Sequence, residues 1–323
     1  MPAIARDCAS DVAISAQILV TGAAGFVGRH LTDALAAEYP DATLLTQAFD
    51  VRDAETVSGV IRSVMPDSCI HLAAISTIAA AQADEDQAWE VNLHGTLNLA
   101  RAILQHAPKC QLIYASTADI YGASFGSRTA LAENALLAPV NLYSATKAAA
   151  DIALGSMAAA RGLRVVRLRP LNHTGPGQAS QFVVAEFARQ VTRIAAGLQP
   201  PVLRVGNLDP QRDFLDVRDV CAAFVACIAR RDDLRFGEII NLASGAARRM
   251  GEILNDLQAL AGIAAEVQVE DARRRTTDVP VARVDATHAR NVLGWTPTIP
   301  WTRTLQDVLD DWRERLGGGA QKN

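Results

Sequence analysis

The sequence predicts a doubly wound α/β fold, a parallel sheet with helices on both faces joined to a smaller α/β domain. Three observations carry this. Short β-branched runs alternate with helical stretches through the first half of the 323-residue chain, a glycine-rich turn separates the first strand from the first helix, and the rhythm changes after Pro170. Alternation of this kind implies right-handed crossovers and a sheet buried on both sides.

The elements follow in order. Gln17–Thr21 (QILVT) reads as a buried strand and 25–38 as a helix, then 42–46 as a strand and 53–65 as a helix. Cys69–Ala73 is the third strand, and one long helix is expected over 84–106. Gln111–Ala115 is a strand, 142–161 an alanine-rich helix and 163–168 a strand. After Pro170 a Gly/Pro-rich loop (172–178) leads to a helix at 181–197, a short strand VLRVG, a charged loop DPQRDF and a helix at 217–230. EIINL (238–242) is a further strand, followed by a helix near 250–261, a strand VQVE, an Arg-rich turn and two terminal helices. The pattern divides into a flexible extension (1–16), a first domain (17–170 with about 213–245), a second (171–212 with about 246–316) and a tail (317–323).

Composition excludes several classes. Half the residues are hydrophobic and mean hydropathy is +0.10, too apolar for a disordered chain. No apolar run reaches the ~18 residues of a membrane span, and Met1–Ala16 lacks the layout of a signal peptide, so a cytoplasmic protein without a membrane partner is expected. A net charge of −4 and a pI near 5.9 argue against a nucleic-acid partner. Cys8, Cys69, Cys110, Cys221 and Cys227 are widely spaced and odd in number, and the six histidines form no metal pattern. Reduced, mostly buried thiols and no metal are expected. Only three of the 31 basic residues are lysines (Lys109, Lys147, Lys322), which draws attention to each.

Two constellations carry chemistry. Gly22, Gly25 and Gly28 lie between the first strand and helix. They suit a tight turn, backbone approach to a pyrophosphate and close helix packing, with helix N–H groups facing the phosphates. Tyr143 and Lys147 stand four apart on a helix, on one face, where the ammonium is expected to lower the phenol's pKa so that Tyr143 exchanges a proton with a carbonyl.

The GxxGxxG spacing, the YxxxK pair and the chain length resemble the short-chain dehydrogenase/reductase superfamily, its extended branch in particular. The resemblance implies a Rossmann-type fold and an NADPH or NADH cofactor on Gly22, Gly25, Phe26, Val27, Asp50, Val51, Leu72, Ala73, Ala74, Tyr143 and Lys147. Arg29 and Arg52 are available for a 2′-phosphate, leaving the choice of cofactor open. It also puts Thr117, in Ser116–Gly122, at the catalytic Ser/Thr position, and Asn92 as a prop of the catalytic helix. Asp119 falls where 4,6-dehydratases of the family carry a glutamate, and Ala118 where some carry a second acid. That departure favours carbonyl reduction over elimination.

The stretch Arg169–Gln178, then Arg212-Asp213-Phe214, Arg275 and Gly294–Pro297, resembles members acting on GDP-sugars. This implies a second domain that binds a nucleotide sugar, with Thr117, Asp119, Asn172, Arg212 and Arg275 on the substrate. The implied substrate is a GDP-linked 4-keto-6-deoxy sugar, reduced at C4 to GDP-D-rhamnose or, from the other face, to GDP-6-deoxy-D-talose. A dehydratase or epimerase is the enzyme rival, and a non-catalytic dinucleotide sensor the rival of another class. The family also implies a homodimer through a four-helix bundle of 84–106 and 142–161.

Overall fold

The computed structural model describes residues 16–126, 129–270, 279 and 281–319. Arg275, Cys8 and the expected extension up to residue 15 lie outside the described residues.

Six parallel strands form the main sheet: β1 (Gln17–Thr21), β2 (Thr43–Leu45), β3 (Ser68–His71), β4 (Gln111–Ala115), β5 (Val165–Pro170) and β9 (Glu238–Leu242). Their order is β2-β1-β3-β4-β5-β9, so the winding reverses between β1 and β3. Ligands of open α/β sheets bind at such a switch point, beyond the carboxyl ends of the strands. Helices α1 (Phe26–Glu38) and α8 (Val217–Ala229) cover one face, and α2 (Ala54–Val64), α5 (Thr96–His106) and α6 (Leu142–Arg161) the other. Each face buries its own apolar layer, which is why the strands read as nearly continuous hydrophobic runs. Cys69, Cys110, Cys221 and Cys227 are buried, unpaired thiols within these layers.

The second half builds smaller sheets. In one, β8 (Gln211–Asp216) pairs with β10 (Ala247–Arg249), β12 (Val281–Ala282) and β6 (Asn172–Thr174). In the other, β7 (Val202–Val205) pairs with β11 (Glu266–Val269). Helices α7 (Val183–Ala195), α9 (Met250–Ala261) and α11 (Trp301–Gly319) close a third core around Phe187, Leu203, Ile253 and Leu305. A short helix α10 (Thr287–Leu293) completes the set.

Several expectations are corrected. The charged segment DPQRDF is no loop: β8 occupies most of it, and Asp213 accepts bonds from the Ser244 and Gly245 backbone and the Ser244 hydroxyl. A charged strand with internal partners carries no hydrophobic signature. The single helix expected over 84–106 is α4 (Glu85–Trp89), a π-turn (Glu90–Gly95) and α5, preceded by α3 (Ile78–Ala83). α11 continues through Gly319, past the expected start of the tail at 317. Among the described residues no helix is long and apolar enough to cross a membrane.

Two glycines give opposite stability predictions. Gly122 has φ +47, and a Cβ there would run into the Ala138 carbonyl and Pro139, whereas nothing lies within 4 Å of a Cβ at Gly59 in α2. G122A is expected to cost about 2 kcal/mol or more. G59A should stabilise by about 0.5–1 kcal/mol. Urea unfolding midpoints of the two variants check the opposite signs.

Candidate active site

The glycine turn leaves β1 and enters α1. Gly22 has φ +73, and a Cβ on it would press on the backbone of Leu72 and Ala73, so only glycine lets the two strand ends meet. The N-cap of α1 is Gly25, which supplies no side-chain cap. The first N–H groups of this 13-residue helix thus stay open to an anion. This cradle fits a dinucleotide pyrophosphate. Val51 is buried beside Gly95, while Asp50 is half-exposed and paired with Arg52 at 2.7 Å. Arg29 donates to the carbonyls of Ala24 and Gly177, so both guanidiniums considered for a 2′-phosphate are already engaged. The Leu72 and Ala73 amides are fixed by the Thr21 carbonyl and hydroxyl.

Thr21 belongs to a buried relay. Its hydroxyl lies 2.7 Å from Nδ1 of His71, whose Nε2 lies 3.0 Å from the Thr96 hydroxyl, which donates to the Asn92 carbonyl. Burial, with the nearby Lys147 charge, pushes His71 down to about 3, so it is neutral. Asn92 sits in the π-turn. Its amide bonds the Ile75 backbone in both directions and donates to the Thr146 hydroxyl at 2.9 Å. It thus links the end of β3 to the catalytic helix, the propping expected of it.

Helix α6 starts at Asn141, whose side chain accepts from the Ser144 amide. It brings Tyr143, Lys147 and Asp151 onto one face against the end of β4. The match is residue by residue. Thr117 hydrogen-bonds the Tyr143 phenol, Lys147 Nζ donates to the Ala115 carbonyl at 2.5 Å, and the Ser116 hydroxyl donates to Asp151 at 2.7 Å. Thr117, Tyr143 and Lys147 therefore do converge.

The electrostatics correct the expected effect of Lys147 on Tyr143. Burial, followed by the negative charge of Asp119, raises the phenol's pKa, and the Thr117 hydrogen bond only partly offsets this. Lys147 contributes nothing resolved, because its ammonium is committed to Ala115 and lies over the Tyr114 ring. Tyr143 is held protonated. Burial also lowers Lys147 to about 7, with Asp151 opposing.

Asp151 was not anticipated, although it stands one turn beyond Lys147 and two beyond Tyr143. Fully buried, it accepts from Ser116, from Arg167 at 3.0 Å and from Arg169 at 2.6 and 3.1 Å. Arg169 also donates to the Tyr121 hydroxyl, and Tyr121 donates to Asn241. Burial opposes the charge of Asp151, but the arginines outweigh it and its pKa falls.

On the substrate side, Asn172 lies on β6 in register with Phe214 of β8, two residues from Arg212. Arg212 donates to the Gln211 and Val279 carbonyls. The 172–178 loop is closed by Gln178, which accepts from Thr174 and donates to the His173 carbonyl. His173 stacks on Phe26 of the glycine turn with centroids 6.3 Å apart.

The buried lysine gives a signed pH prediction. Its pKa falls from 10.5 when unfolded to about 7 when folded, so between those values the unfolded chain binds the extra proton and stability rises with pH. From pH 7 to pH 10 the melting midpoint of the wild type should improve relative to K147M, with no such trend between pH 5 and 7. A difference independent of pH would contradict the assignment.

Comparison with known proteins agrees with this geometry. Residues 18–243 match the family described as NAD dependent epimerase/dehydratase. A GDP-6-deoxy-D-mannose reductase of Pseudomonas aeruginosa is 34% identical over 304 residues, 93% of this chain and 98% of that protein. A GDP-6-deoxy-D-talose 4-dehydrogenase of Aggregatibacter actinomycetemcomitans is 30% identical, over 86% of this chain and 91% of its own length. The solved structure of RMD from Pseudomonas aeruginosa complexed with NADPH superposes with a TM-score of 0.82 at 31% identity, covering 93% of this chain and 99% of that one. With its parallel sheet, glycine turn and Tyr143–Lys147 helix in place, this chain belongs to the NAD dependent epimerase/dehydratase family.

Proposed function

We propose that the protein reduces the C4 ketone of a GDP-4-keto-6-deoxy-hexose with NADPH or NADH, yielding GDP-D-rhamnose. The single observation that carries this reading is the protonated Tyr143, hydrogen-bonded by Thr117 and raised by burial and by Asp119, because ketone reduction consumes a proton at the oxygen. The likeness to the reductase of Pseudomonas aeruginosa supports the substrate class.

The bound nicotinamide supplies the hydride. The chain's own residues do the rest. The glycine turn and the α1 N-terminus hold the pyrophosphate, with Phe26 and Val27 in the first turn, Asp50 and Val51 on the adenine side, and Leu72, Ala73 and Ala74 along the β3 end. Lys147, one turn below Tyr143, holds the nicotinamide ribose. The Thr117 hydroxyl and the Tyr143 phenol converge where the ketone oxygen sits. Thr117 orients it, and Tyr143 gives up its proton as the carbonyl electrons move onto oxygen. Asp119 borders the sugar, and Asn172, Arg212 and Arg275 take the diphosphate side, where forked guanidiniums suit phosphate oxygens.

A cavity of about 300 Å³ on the same domain favours guanine as the base. It is lined by the Glu186 carboxylate together with Arg189, Gln190 and Arg204. Acceptor and donors side by side match guanine's N–H edge and its O6 and N7 acceptors. A second product, GDP-6-deoxy-D-talose, has the support of the relative from Aggregatibacter actinomycetemcomitans. A dehydratase or epimerase is disfavoured by Ala118 and by the short acid Asp119. The protein is further proposed to work in the cytoplasm as a homodimer through α5 and α6. Support for the dimer comes from Ile152, an isoleucine 58% exposed on the outer face of α6 among small residues.

Mixing the protein with GDP-4-keto-6-deoxy-D-mannose and either cofactor should oxidise the cofactor and give GDP-D-rhamnose by NMR. The talose epimer would reverse the assigned face, and no oxidation would overturn the reading. Tyr143→Phe should lower kcat about 10²–10⁴-fold without unfolding the protein. Light scattering at micromolar concentration should give a dimeric mass, with Ile152→Arg shifting it to monomer.

A further inference from the structure

Lys147 has surroundings unusual for an ammonium group. It is only 4% exposed, and its one hydrogen bond among the described residues goes to the Ala115 carbonyl. On another side Nζ stands 4.1 Å from the centre of the Tyr114 ring. Tyr114 is the penultimate residue of β4 and fully buried. Its hydroxyl, beside Thr96, makes no well-formed hydrogen bond. A phenol that does not use its oxygen offers the site its ring face.

The charged groups nearby do not replace that face. Asp151 is the only neighbouring anion resolved as acting on Lys147, yet Ser116, Arg167 and Arg169 already take its oxygens. The two arginines are cations, His71 across β3 is neutral, Tyr143 is protonated, and the Asp119 charge acts on Tyr143. A desolvated ammonium with one acceptor and an aromatic face gains from the ring quadrupole.

We propose that Tyr114 is a positioning residue whose ring face is the second partner of the Lys147 ammonium, keeping it charged and fixed one turn below Tyr143. The inference rests on the assignment of Lys147 to the reductase site above, but its test does not require turnover.

With only three lysines in the chain, lysine side chains labelled with ¹³C and ¹⁵N give a readable titration, and K147M identifies the Lys147 signal. In Tyr114→Leu the titration midpoint should fall by about one pH unit, tenfold in the protonation constant. In Tyr114→Phe, which keeps the ring, it should stay where the wild type has it. Tyr114→Met provides a second apolar replacement should the leucine variant fold poorly. An unchanged midpoint in the leucine or methionine variant, or an equal fall in the phenylalanine variant, would overturn the proposal. In assays, the alkaline loss of turnover should begin about one unit lower in Tyr114→Leu than in the wild type. Failure of the reductase reading would appear separately, as absence of turnover in the wild type while the titration still answers.

Discussion

The buried charge of Asp151 is the constraint on which the site depends. A carboxylate cannot stay ionised without water unless its oxygens are filled, and here they are filled from β4, through Ser116, and from β5, through Arg167 and Arg169. Removing one partner of such a cluster costs about 3–5 kcal/mol, because the remaining charges stay buried. The penalty enforces geometry. Asp151 locks α6 in rotation and height against the sheet, and Tyr143 and Lys147 lie on the face so fixed. Arg169 extends the lock to Tyr121, and Tyr121 to Asn241, so the loop after β4 and the last strand of the sheet share one hydrogen-bonded assembly.

Around this fixed charge, burial sets the protonation states. His71 is neutral and serves as a spacer in a hydroxyl relay. Tyr143 keeps its proton, and Lys147 stands near the middle of its titration at neutral pH. A cation at that edge responds to small changes around it, so each contact with its ammonium has a measurable weight.

Much of this was legible in the sequence. The glycine turn, the strand–helix alternation and the Tyr143–Lys147 spacing depend on local rules, and all lie where they were expected. Thr117 was found by its place after a strand. What stayed hidden depended on partners distant in sequence. β8 was missed because charged residues such as Arg212 and Asp213 are satisfied by β10, the Val279 carbonyl and the turn at Ser244, which no local pattern reveals. Asp151 looked like one more charge on an alanine-rich helix until Arg167 and Arg169 were seen beneath it. The direction of the Tyr143 shift was misjudged for a related reason. Spacing places a lysine on the same face, but only packing decides where its ammonium goes.

The π-turn at Glu90–Gly95 has a consequence for how this helix tolerates insertion and deletion. A π-turn holds one residue more than an α-helical turn, and each residue of an α-helix rotates the next by about 100°. Losing one residue here would restore an unbroken α-helix and swing everything beyond it by that angle. Leu99 and Ile103, now in the core against α2, would turn toward solvent, and Asn92 would lose its hold on Ile75 and Thr146. The segment is thus a place where substitutions are absorbed locally while a single-codon deletion is felt along the whole helix.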